Sequence, residues 1–115
     1  MTATDLTPQK VSQASGIANL TWSATPAGGH AIVGNDGKML LIVKNAGGSD
    51  DTVTVTPQAT VNGASITAPT IVVPQTSGFG VIGPFDPSVF NDSNNKVQVG
   101  YSYTTSGSAA AVQLP

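Results

Sequence analysis

The 115-residue chain contains no cysteine, no arginine and no glutamate, and its one histidine is His30. Without cysteine there is no disulfide framework, no thiolate nucleophile and no thiolate metal site. This is consistent with a reducing interior. Without arginine there is no planar fork to clamp a phosphate or carboxylate in two places. Without glutamate, a glycosidase-type carboxylate pair would have to be built from aspartates alone. Charged residues make up 9% of the chain, against roughly 25% in ordinary soluble domains. The net charge of -2 and four scattered lysines give no footprint for nucleic acid. No apolar run approaches the roughly 20 residues of a membrane helix. The opening Met1-Thr2-Ala3-Thr4-Asp5 lacks the basic and hydrophobic regions of a secretory signal, so export by the general route is not expected. No nucleic-acid partner, membrane partner or cofactor is expected.

The remaining residues are those of strands and turns. Thr52-Val53-Thr54-Val55-Thr56 alternates with period two, which predicts a half-buried strand with both valines on one face. The run from Lys38 to Asn45 is nearly all apolar and too short for a helix, and reads as a central buried strand. His30–Val33, Thr67–Val73, Phe79–Ile82, Val97–Tyr101 and Ala109–Leu114 read as further strands. Pro69 and Pro74 assign the second of these to an edge. Asp86-Pro87 pairs a good N-cap with a good first helical residue, predicting one helical turn over 87–91 that brings Val89 and Phe90 onto the core. Seven or eight short antiparallel strands at turn-like spacing predict an all-β fold, a single sandwich or barrel.

Residues 1–28 differ from the rest. Leu6–Val11 could form one extended strand, but Ser12–Gly29 shows no sustained period. The expected organisation is an N-terminal arm or extended segment over 1–28 and a β-sandwich domain over 29–115. Removing residues 1–20 is then expected to leave the sandwich folded. Isolated apolar residues in this segment, namely Leu6, Pro8, Val11, Ile17, Leu20 and Trp22, are the candidate contacts to a partner or a second protomer, with Trp22 as a possible anchor.

Candidate chemistry is sparse. His30 has no nucleophile motif around it and no Gly-x-Ser-x-Gly elbow exists, so it reads as a polar residue at a strand edge. The aspartates at 36, 50, 51, 86 and 92 fall in predicted turns, where turn formation and helix capping explain them. Asp50-Asp51 and Asn91–Asn94 would make a calcium site only if their loops shared one end of the sandwich. No catalytic, cofactor-binding or metal residue is assigned, and an enzyme is the least expected class. A glycan-binding face would need a row of exposed aromatics; Tyr101 and Tyr103 share one strand face.

Several segments together resemble a known family. They are the opening Met1–Pro8, the run ending Val43-Lys44-Asn45 and followed by Gly-Gly and Thr52–Val55, and Val81-Ile82-Gly83-Pro84-Phe85 with Phe90 and Val97-Gln98-Val99. In order along most of the chain, they resemble the head decoration, or cement, proteins of tailed bacteriophages. That resemblance implies a jelly-roll-like β-sandwich, usually trimeric. It also implies the major capsid protein as partner, synthesis in the host cytoplasm and a final place on the outer capsid surface of the virion. The implied function is to stabilise the mature icosahedral head by bridging capsomers. The alternatives are another virion β-module, associated with a tail tube or fibre, and a carbohydrate-binding β-sandwich.

Overall fold

The computed structural model describes residues 3–11 and 20–114. It is mostly β, with two sheets of five strands each packed face to face. The strands are β1 (Thr4–Leu6), β2 (Gln9–Lys10), β3 (Ser23–Ala24), β4 (His30–Val33), β5 (Met39–Asn45), β6 (Asp51–Val55), β7 (Thr60–Val61), β8 (Ala64–Ser65), β9 (Thr70–Val73), β10 (Gly78–Ile82), β11 (Lys96–Tyr101) and β12 (Gly107–Gln113). The helical turn α1 (Pro87–Phe90) sits where Asp86-Pro87 predicts it, with the Asp86 carboxylate accepting from Ser88 N.

The first sheet runs β1-β4-β11-β6-β9. The second runs β10-β5-β12-β2, with β3 also on β12. From β4 to β6, and again from β9 to β12, the chain changes sheet at every connection. The core lies between the layers and holds Ile32, Met39, Leu41, Val43, Val53, Val55, Val73, Val97 and Phe85. Val53 and Val55 face inward as the alternation requires, and β5 is an interior strand that buries Met39, Leu41, Val43 and Asn45. Phe85 meets Phe90 edge to face, with centroids 5.9 Å apart. Asn35 fixes this corner, because its Nδ2 donates to Phe85 O at 3.1 Å and to Asn91 Oδ1 at 2.7 Å.

Three expectations are corrected. Among the described residues there are twelve strands rather than seven or eight, because pairings of two or three residues are invisible to periodicity. The sheets are mixed rather than antiparallel throughout, since β1 lies parallel to β4 and β2 lies parallel to β12. Leu6–Val11 is not one strand. Pro8 has no N–H for a ladder, and around it the chain leaves the first sheet after β1 and joins the second at β2. The Asn62-Gly63 link is itself a tight hairpin between β7 and β8. Both of its residues have positive φ, 51° and 81°, as a two-residue turn of that hand requires.

Candidate functional site

The polar groups that could carry chemistry are each held by the fold. Asp36 accepts from Lys38 N at 3.0 Å and from Gln113 Nε2 at 2.8 Å. The Gln113 bond, then the backbone, holds its carboxyl below the usual range. Asp92 accepts from Lys96 N at 3.0 Å, Gln98 Nε2 at 2.8 Å and Asn94 N at 2.8 Å, and is lowered for the same reason. Asp86 caps α1, and the Ser88 hydroxyl and N–H lower its pKa. Asp50 ties Gln75 N at 2.9 Å. Asp5 meets Lys96 Nζ at 3.0 Å. The loops of Asp51 and Asp92 lie at opposite ends of β11, because Asp92 bonds its first residue and Asp51 bonds Ser102, just past its last. They form no cation site, and no cluster of three ligating residues occurs among the described residues.

His30 is not at a strand edge. It is buried on β4, between β1 and β11. Its Nδ1 lies 2.6 Å from the Tyr101 hydroxyl, with the rings edge to face at 5.5 Å. Burial lowers the His30 pKa, which favours the neutral imidazole. Burial, and then the negative charge of Asp51, push the Tyr101 hydroxyl above its ordinary value. Asp51 is fully buried: its Oδ1 accepts from Ser102 N at 3.1 Å and Tyr103 N at 3.3 Å, while its Oδ2 has no partner. Desolvation raises its pKa despite those two bonds. His30 and Asp51 are buried and Tyr101 is half-buried beside them. The tyrosines do not make a glycan platform, since Tyr101 packs against the core and the Tyr103 hydroxyl accepts from Gly48 N at 3.1 Å.

The candidate contact residues of the N-terminal segment divide. Leu6 is 5% exposed and belongs to the core, so it offers nothing to a partner. Pro8, Val11 and Leu20 are half-buried, and Val11 N donates to Gln113 O at 2.9 Å. Ile17 lies outside the described residues. Trp22 is half-buried on the outer face of the second sheet, 6.5 Å from the Phe79 ring. The Lys44 ammonium stands 4.1 Å from its centroid. The register Ser23↔Ala109, extended one step, brings Trp22 opposite Ala110. That residue is fully buried although its neighbours Ala109 and Ala111 point the other way, into the core.

The exposed apolar surface lies mainly at the β9–β10 margin, where Phe79 meets the Trp22 ring. Large hydrophobic residues are exposed at Val72 (54%), Phe79 (58%), Val81 (46%) and Leu114 (40%). The first three sit on β9 and β10, one strand from each sheet. The N-terminal strands close the other side, where β1 covers the outer edge of β4 while β2 and β3 cover that of β12. Among the described residues, the longer strands left with an open edge are therefore β9 and β10. Residues 52–85, which run from β6 just after Asp51 through β10, contain no charged side chain. Open edges are normally protected by lysine, inward charges, bulges or proline; here only Pro69 and Pro74 flank β9. A cleft of about 400 Å³ adjoins Phe79, lined by Lys44, Asn45, Thr76, Ser77, Ser106 and Ser108.

Sequence reading missed this margin because Phe79 and Val81 looked like ordinary strand residues. The available signal was the alternation Gly78-Phe79-Gly80-Val81 inside a long uncharged stretch. Small residues face the core there, while large ones face out.

In class, the molecule is an all-β sandwich with exposed apolar side chains along its β9–β10 margin. No family model matches the chain, and no curated protein or solved structure is similar to it.

Proposed function

We propose that this protein is a capsid decoration protein that binds the outside of a mature phage head and bridges neighbouring capsomers. The observation that carries the reading is the β9–β10 margin, where Val72, Phe79 and Val81 are exposed on two strands that contain no charged residue. Apolar surface shown to water marks a contact site, and contact with a neighbouring shell removes it from water without desolvating ions. The carboxylates and the imidazole, by comparison, are engaged in turns, caps and the core. The resemblance in the sequence supplies the partner, the major capsid protein. The jelly-roll-like form that the resemblance implies belongs to the same proposal, and the alternation of successive strands between sheets is in keeping with it. Many copies on one shell would convert modest individual contacts into collective strength.

The test mixes purified protein with expanded heads that lack it, and measures co-sedimentation and survival on heating. Saturable binding with raised heat resistance is expected. Absence of binding would remove the proposal.

A second reading, a carbohydrate-binding module, is favoured by the cleft beside Phe79, which joins an exposed ring to the hydroxyls of Thr76, Ser77, Ser106 and Ser108. Reproducible glycan-array hits lost in Phe79→Ala would favour it over capsid binding.

A further inference from the structure

The hydrogen-bond pattern of the second sheet shows which backbone groups of β10 are free. Thr76 N donates to Gly47 O at 2.8 Å, and the register continues through Gly78↔Asn45, Gly80↔Val43 and Ile82↔Leu41. Hydrogen-bonded and non-hydrogen-bonded pairs alternate along an antiparallel ladder. Gly78, Gly80 and Ile82 therefore point their N–H and C=O groups toward β5. Phe79 and Val81 point theirs outward, to the open edge, and neither makes another backbone bond among the described residues. The two residues with free backbone groups are also the two with exposed apolar side chains.

We infer that β10 pairs with β10 of a second copy, antiparallel, about a two-fold axis at Gly80. In that register Phe79 faces Val81 of the other copy, and Val81 faces its Phe79. Each residue brings one N–H and one C=O, so the two pairs close four hydrogen bonds and use every outward backbone group of the two residues. Two aromatic–β-branched cross-strand contacts form on the outer face, a favourable pairing. Any other antiparallel register leaves one of these groups or rings unmatched.

Charge does not oppose the pairing. The nearest ion is Lys44, across from Phe79 on β5. In the pair, each row across the joined sheets reads Lys44, Phe79, Val81, Ile42, so the two lysines stand in different rows, at opposite ends. β9, in the layer behind, packs close against β10. A Cβ at Gly80 would come within 3.1 Å of Val73 Cγ2 and 3.2 Å of Ile71 Cδ1. A two-fold interface of this kind is self-complementary, and the proposed pair replaces the three-fold assembly that the resemblance implies. It stands on the edge geometry alone, independently of what the protein binds.

Sedimentation equilibrium on the full chain, without capsids, tests the pairing. A concentration-dependent dimer is expected. Val81→Lys should raise its dissociation constant at least tenfold without changing the melting temperature, whereas Leu114→Lys should leave it unchanged. Because the chain has no cysteine, the register can be read directly. Under mild oxidation, a mixture of Phe79→Cys and Val81→Cys proteins should cross-link to each other in preference to either alone. A monomer at all concentrations, a trimer, a Val81→Lys dimer of undiminished affinity, or preferential like-with-like cross-linking would overturn the inference.

Discussion

Leu6 decides whether the N-terminal segment is an appendage or part of the domain. It is the last residue of β1, it pairs with Ile32 on β4, and it is 5% exposed within the core cluster. Truncating a buried leucine to alanine costs about 2–5 kcal/mol, depending on how far the site collapses. Since β1 is a three-residue edge strand, it can settle inward, so the lower part of that range applies, about 2–3 kcal/mol. At about 4 °C per kcal/mol for a domain of this size, Leu6→Ala should lower the melting temperature by about 8–12 °C. Differential scanning calorimetry reads this directly. Thr4→Ala, exposed on the same strand, is the control and should stay within about 0.5 kcal/mol of the parent. Deleting residues 1–10 should cost more, because it also removes the β2–β12 pairing and the Asp5–Lys96 ion pair. Sequence reading alone expects the sandwich to survive loss of residues 1–20; the burial of Leu6 predicts marked destabilisation. If Leu6→Ala melts within about 2 °C of the parent, the buried-strand reasoning fails.

Three further outcomes follow from named contacts. Gly78→Ala should fail to reach the native fold, because its Cβ would lie 1.7 Å from Pro74 O; a soluble protein with the parent's circular dichroism and melt would contradict this. Asn35→Ala should cost about 3 kcal/mol through unpaired groups at the α1 corner, read as a lowered urea midpoint; no change would mean that the bonds to Phe85 O and Asn91 are dispensable. The pH dependence has two opposed parts. With its pKa lowered in the fold, His30 contributes stability above its unfolded pKa of about 6.5 that is lost as pH falls through the folded value. Asp51, raised in the fold, contributes stability below its unfolded pKa of about 3.9 that is lost as pH rises through its folded value. From pH 8 toward pH 5 the His30 part lowers the melting temperature, so His30→Gln should lose less, or gain more, over that range than the parent; an equal slope in the variant would refute the assignment.

The legible part of the fold was the part with long period or strong punctuation. Thr52–Val55 showed its inward valines by alternation, and Asp86-Pro87 showed a capped turn. The short pairings were not legible. Nothing local in Thr4–Leu6 or Ser23–Ala24 distinguishes a strand from a loop, because their pairing is decided by β4 and β12, distant in sequence. His30 looked peripheral because its glycine neighbours suggested a strand end. Its buried position depends on Tyr101, which the fold brings across the layer from 71 residues away. The open margin was hidden for a related reason. Whether Phe79 and Val81 face a neighbour or water depends on where strand order places β10, and that order is a property of the whole chain.

The central place of β12 has a temporal consequence. Residues 107–113 lie between β5 and the short strands near the chain start, and both β2 and β3 have β12 as their partner. A ribosome must therefore have made the chain through residue 113 before the second layer can zip together. Until then β5 lacks its longest ladder, and β2 and β3 have no strand to pair with. Non-local pairing of this sort folds slowly, and the nascent chain spends its synthesis with a sticky, uncharged middle on display.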